Sequence, residues 1–369
     1  MVGPEPGSAD GWADMGMSEA NQMGITLDYG DFLVVRPRRN YRITSSVIIV
    51  KGTRPVIIDT GTPFDPGISR IRRALLEHGM PPASVGTILI THAHADHVHN
   101  LQNLQELCPN SRTWCHAREK EKVIHPARLG KVLKGAFALL DQERTHRFLE
   151  LVIAPALRLA YRKLDLDQRV DQTFDLSPPE GDLDLALCPR IQAEELTLTA
   201  LPTPGHSSGH MSYLDSRGNL FLGDFVPFTP WISPVADGLD DMIRSIQHVL
   251  SLGPDQVTRA VRAHGDFRRK SWEVSPWDGP EGERARFRLF YETIQQTLER
   301  IPSLVEDGPL DTFALTGQLM PNFERYNRFM RRWFLPPGVT WTMAYCLKLE
   351  RSGALVRQRR GKKTLWAGP

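Results

Sequence analysis

The chain of 369 residues contains no apolar run near the roughly 18 residues that a membrane-spanning helix requires. Its first 25 residues are polar, glycine-containing and acidic, and lack the basic start and apolar stretch of a secretory leader. The expectation is a soluble, cytoplasmic protein with no membrane association. Cysteine is scarce. Cys108, Cys115, Cys188 and Cys346 form no C-x-x-C pair, and four in this length make no disulfide framework, so they read as small buried hydrophobes. Internal repeats are absent, and so is a strong charge of either sign: 45 Lys and Arg stand against 43 Asp and Glu. With 41% hydrophobic residues, 28 Pro and 29 Gly, the composition is that of a folded protein and excludes collagen-like and mostly disordered chains.

The near-neutral total hides an asymmetry. Six basic residues (Arg351, Arg357, Arg359, Arg360, Lys362 and Lys363) and no acid follow Glu350, which leaves the preceding 350 residues mildly acidic. Such a run reads as a solvated tail before it reads as a nucleic-acid contact. Residues 1–25 have no periodicity and read as a flexible extension. Strand-like β-branched segments then alternate with helical ones. Strands are expected at 31–35, 41–50, 55–58, 85–91, 196–201, 211–214, 219–222 and 257–263, and helices at 68–78 and 239–252. Between 117 and 176 the pattern turns helical, with Leu129, Val132, Leu133, Ala136, Phe137 and Leu140 on one face, and reads as a helical insertion. The domain covering 26–280 is thus α/β. A second unit, 281–369, reads as three helices (284–301, 311–319, 341–351), a small ribbon and the basic tail.

Chemistry concentrates where the 85–91 strand stops, in Thr91-His92-Ala93-His94-Ala95-Asp96-His97. Side chains of an extended segment alternate, so His92 and His94 project to one side, while Asp96 and His97 turn toward a neighbouring point as a helix begins. One segment can therefore serve two metal positions. Three more donors follow strand ends: His206 in Pro204-Gly205-His206, Asp224 after Gly223, and His264 in His264-Gly265-Asp266. Loops at one edge of a rigid sheet are where an α/β fold gathers residues distant in sequence. Imidazole and carboxylate donors suit a borderline divalent ion: zinc by default, with iron and manganese also compatible.

This order of motifs resembles the metallo-β-lactamase superfamily, with Asp59 of Asp59-Thr60-Gly61 in the strand-end place that the family uses. The resemblance covers about residues 26–270. It implies the αββα sandwich, two face-to-face sheets with helices outside, and a dinuclear metal centre. In it His92, His94 and His206 would hold the first ion, Asp96, His97 and His264 the second, and Asp224 would bridge. Histidine at position 94 is similar to the hydrolases and unlike the oxygen-reducing di-iron branch, which has Glu there. The aspartate bridge resembles the glyoxalase II, lactonase and nuclease branches. Two ions sharing a water would present hydroxide near neutral pH. Asp96 is expected to take part in catalysis as a ligand, Asp59 to orient a ligand, and His210 to support the site, with a proton-shuttle role as the alternative.

The insertion would act as a lid or pocket wall, or else as a packed decoration or dimer surface. Phe228 and Trp231, in the aromatic loop after Asp224, are candidate substrate contacts. The C-terminal unit is similar to the winged-helix appendage of the β-lactamase-like type 2 branch, whose members include thioester hydrolases and an RNA-cleaving enzyme. The leading expectation is a hydrolase of thioesters, esters or lactones acting on a small molecule with an apolar acyl part, with a homodimer as an option. A phosphodiesterase or endoribonuclease is the alternative, disfavoured by the acidic body. A non-enzymatic metal-binding regulator is disfavoured because no ligand position has been replaced.

Overall fold

The computed structural model describes residues 26–37, 44–62, 66–125, 168–177, 181, 183–229, 232–233, 237–264, 274–320, 338–361 and 363–369. A seven-stranded sheet runs, in spatial order, through β1 (Thr26–Asp28), β2 (Phe32–Val35), β3 (Val47–Val50), β4 (Val56–Ile58), β5 (Thr87–Leu89), β6 (Arg112–His116) and β7 (Gln172–Phe174). Its first four strands pair antiparallel, and β4 to β7 run parallel. A six-stranded sheet has the order β13 (Val274–Pro276), β12 (Arg259–Arg262), β11 (Asn219–Gly223), β10 (Met211–Asp215), β9 (Leu196–Pro202), β8 (Arg190–Ala193), antiparallel except for β11 with β12.

Strand alternation sorts the side chains into three buried layers. Phe32 and Val34 of β2 and Ile48 and Val50 of β3 meet Leu198, Met211, Tyr213 and Phe221 of the other sheet, forming the core between sheets. Leu33, Val35 and Ile49, one residue out of phase, face away and pack against Ile71 and Leu75 of α1 (Ile68–Glu77). Leu101 and Leu104 of α3 (Leu101–Leu107) join them; the single turn α2 (Ala95–Val98) precedes α3, and α4 (Ala117–Ile124) follows β6. On the second sheet's outer face, Leu220 and Leu222 pack with Ile246 and Val249 of α5 (Gly238–Ser251). Helices lie outside both sheets, so the expected αββα sandwich is the observed one.

In the C-terminal region α6 (Glu283–Leu304), α7 (Thr312–Leu319) and α8 (Val339–Arg351) precede a hairpin of β14 (Val356–Arg360) and β15 (Lys363–Ala367). Phe287, Phe290 and Ile294 of α6 and Trp341 and Tyr345 of α8 belong to the same buried cluster as β11 and α5. Arg262 of β12 and Glu283 at the start of α6 form a buried ion pair that ties the second sheet to these helices.

Three expectations need adjusting. Within the segment read as a helical insertion, 117–176, Ala117–Ile124 is helical, residues 126–167 lie outside the described residues, and Gln172–Phe174 is a strand that closes the first sheet. The basic run is solvated, all five residues of β14 being exposed, but it is part of a hairpin whose Trp366 on β15 is buried and donates to the Thr312 hydroxyl (3.0 Å). The expected strand over 41–50 is regular only at Val47–Val50, with 41–43 outside the described residues. Among the described residues, no helix is long and apolar enough to cross a membrane.

Candidate metal centre

All the donors picked out by the sequence follow strand ends at one edge of the sandwich. Parallel pairing puts the C-terminal ends of β4 and β5 side by side, and likewise those of β11 and β12. Backbone bonds then lock the two edges together: Met211 N–H donates to Thr91 O (2.9 Å) and Ser46 N–H to Ala263 O (2.8 Å). The Tyr213 hydroxyl, buried between the sheets, donates to Ile90 O at 2.9 Å.

At this edge the donors form two groups, His92, His94, His206 and Asp224 in one, Asp96, His97 and His264 in the other, each with its ligand atoms within 4.8 Å of one another. In the first, His94 Nδ1 lies 2.9 Å from His92 Nε2 and 3.0 Å from His206 Nε2. In the second, Asp96 Oδ2 is 3.2 Å from His264 Nε2 and 3.5 Å from His97 Nε2. Asp224 faces both: its Oδ2 is 3.4 Å from His206 Nε2 and 3.8 Å from His92 Nε2, its Oδ1 3.3 Å from His264 Nε2 and 3.4 Å from His97 Nε2.

The surrounding residues aim these atoms. Asp59, held at φ +60°, accepts from the Thr91 backbone N–H (2.8 Å) and hydroxyl, and its Oδ2 accepts from His97 Nδ1–H (2.7 Å). That bond keeps a proton on Nδ1, so that Nε2 is the nitrogen a metal ion would take once it displaces the Nε2 proton. The Thr91 hydroxyl lies 3.1 Å from His92 Nδ1 and the Thr229 hydroxyl 3.4 Å from His206 Nδ1, fixing those rings the same way. Gly223, at φ +57°, is obligatory: a Cβ there would meet His210 Nε2 at 2.8 Å and Thr91 Cβ at 2.9 Å. The sequence singles out neither Thr91 nor Thr229, because a threonine next to a ligand carries no signal of its own.

Electrostatics divide the two groups. Burial, reinforced by the neighbouring imidazoles, holds His92 well below the usual histidine range, and burial pushes His94 down to about 4. Burial works against the charged forms of His97 and His264 too, but carboxylates outweigh it. Asp96, Asp224 and Asp59 hold His97 well above the usual range, and Asp224 and Asp96 bring His264 up to about 10. Asp224 is itself held far below an ordinary carboxylate, despite burial, by His264 and His97.

These residues suit bound cations. A tetrahedral zinc with bonds of about 2.0–2.1 Å holds its donors about 3.3 Å apart, inside the 2.9–3.8 Å range of the first group. His97 Nε2 and Asp224 Oδ1 are buried and make no well-formed hydrogen bond among the described residues, their neighbours being other donor atoms at 3.3–3.5 Å. The family model of the metallo-beta-lactamase superfamily matches residues 39–257, a span that holds every donor except His264. The chain belongs to the metallo-beta-lactamase superfamily. That superfamily binds metal ions, usually zinc, and its members are typically metal-dependent hydrolases. Solved structures of the same fold include a metallo-beta-lactamase family protein of Thermus thermophilus, with 21% identity, TM-score 0.55 and 94% of this chain against 97% of that one covered. Another is a beta-lactamase domain protein of Burkholderia ambifaria, with 18% identity, TM-score 0.63 and 94% of each chain covered.

The remaining sequence candidates take less central places. His210 accepts from the Asp224 backbone N–H at Nε2 (3.2 Å) and faces the Thr203 hydroxyl at Nδ1 (2.9 Å), so one nitrogen holds the Asp224 turn and the other is anchored at the end of β9. Phe228 is half-buried, with its ring 5.0 Å from that of Phe290 on α6. Trp231 lies outside the described residues.

Proposed function

We propose that this member of the superfamily is a dinuclear metal hydrolase that cleaves a thioester, ester or lactone in a small molecule with an apolar acyl part. The observation that carries the dinuclear reading is Asp224, which turns one carboxylate oxygen to each donor group. His92, His94 and His206 would hold one ion, Asp96, His97 and His264 the other, with Asp224 common to both. Bound there, divalent ions supply a water ionised near neutral pH and a Lewis acid for the carbonyl oxygen. The chain's own residues do the preparatory work. Asp59 and Thr91 set ring tautomers, and His210 holds the backbone of Asp224. Among the described residues no serine or cysteine is activated as a nucleophile beside the donors; Cys108 and Cys115 are buried, and burial pushes both thiols up to about 12, with the Glu119 carboxylate adding to it at Cys115. RNA as substrate is disfavoured by the mildly acidic composition of residues 1–350.

Metal analysis of the purified protein, followed by assay on acyl-CoA, glutathione thioester, lactone and RNA substrates, tests the reading. Two ions per chain and acyl-bond cleavage abolished in His92→Ala are the expected results. Absence of bound metal, or turnover of RNA alone, would overturn it.

A further inference from the structure

We propose that Glu119 is the positioning residue of the first donor group, and that its buried carboxylate sets how far the His94 ring stands from the His206 ring. The inference rests on the metal-binding reading above and goes beyond it, since Glu119 touches no donor atom. Glu119 lies in the first turn of α4 and is 1% exposed, an unusual burial for a carboxylate. Its Oε2 accepts from the backbone N–H of Ala93 (3.2 Å), the residue between His92 and His94. The other oxygen, Oε1, accepts from the backbone N–H of Gly209 (3.0 Å), three residues after His206. Lys122, one turn along α4, lies 2.7 Å away and supplies the balancing charge. One side chain thus fastens together two loops that are more than a hundred residues apart and that meet, in the first group, where His94 Nδ1 approaches His206 Nε2 and where the His92 and His206 rings pack edge to face.

A second observation is independent of the hydrogen bonds. Position 209 leaves space for the carboxylate because it lacks a side chain: a Cβ there would lie 2.9 Å from Glu119 Cγ and 2.9 Å from His116 Nδ1. The approach is therefore built from both sides, by a buried acid on α4 and by a glycine on the loop that receives it. Charge-assisted bonds to backbone N–H groups are short and strong in a dry site, and they fix a loop more tightly than neutral contacts do. In the second donor group the His97 ring has its own anchor, the carboxylate of Asp59.

Three variants test the proposal: Glu119→Gln, whose amide can accept only one of the two bonds; Glu119→Ala; and Gly209→Ala, which keeps the acid but blocks its approach. Zinc titration against a chromophoric chelator is expected to show two equivalents in the unaltered protein. In each variant one equivalent should bind at least tenfold more weakly while the other stays within twofold. In metal-free protein, hydrogen exchange at the Ala93 and Gly209 amides should speed up at least tenfold in the variants, with the Thr91 amide, held by Asp59, unchanged. Unaltered zinc affinities in the variants would overturn the proposal. So would an equal weakening of both equivalents that tracks lost stability of the metal-free chain, which is the signature of a merely structural acid. If the unaltered protein bound no zinc, the function proposed above would fail and this inference with it; two tight equivalents that the variants leave intact would remove this inference alone.

Discussion

A single atom of Asp59 separates a carboxylate that prepares a ligand from an amide that disables one. Asp59 Oδ2 accepts a hydrogen bond from His97 Nδ1 at 2.7 Å, so Nε2, which faces Asp96 and Asp224, is the nitrogen left for a metal ion. In Asp59→Asn the side-chain amide can donate to His97 Nδ1, which moves the ring proton to Nε2 and blocks the donor atom. Metal affinity is expected to fall about 10- to 100-fold, measured by chelator competition, with little change in the metal-free melting temperature. Backbone strain does not enter, because asparagine also tolerates the φ of +60° that Asp59 adopts. The donors themselves are legible in the sequence because their chemistry is rare and their spacing rigid: His92 and His94 by strand alternation, His206, Asp224 and His264 by their places after strands. Glu119 is not legible. On an amphipathic helix with Lys120, Glu121 and Lys122 around it, a glutamate reads as one more solvated charge, and only the packing of α4 against the 209 loop buries it.

Among the elements, the long periodic ones stand close to their expected bounds, while short ones leave little trace in the sequence. The helix expected at 239–252 is Gly238–Ser251, and that expected at 311–319 is Thr312–Leu319, with Asp311 as its cap. Strands β6, β7, β8 and β13, of three to five residues, are not among the expected ones. Their conformation comes from partners distant in sequence, as when Trp114 of β6 pairs with Gln172 of β7, and so few residues carry too little pattern to announce a strand. Caps, by contrast, act locally. Asp311 Oδ1 accepts from Ala314 N–H at 2.8 Å, satisfying a donor that the helix leaves open. Asp311→Ala should cost about 1 kcal/mol in denaturant unfolding and leave zinc stoichiometry untouched.

Across the whole molecule, the second sheet is covered on its outer face by α5 together with helices from the C-terminal region, in one continuous buried cluster. The same helices support the loop behind Asp224: Phe225 stacks on Phe287 with ring centres 5.3 Å apart, and Trp341 Nε1 donates to Thr229 O at 2.8 Å. Phe287→Ala removes a fully buried ring and should cost about 3–5 kcal/mol of stability by chemical denaturation. It should also lower metal affinity, through slack in the turn that carries Asp224. Such a dependence governs how damage spreads. A lesion on α6 or α8, remote from every donor along the chain, would show itself first as faulty ion retention, and a fragment ending ahead of Glu283 would own all seven donors while leaving a bare greasy wall where those helices had rested.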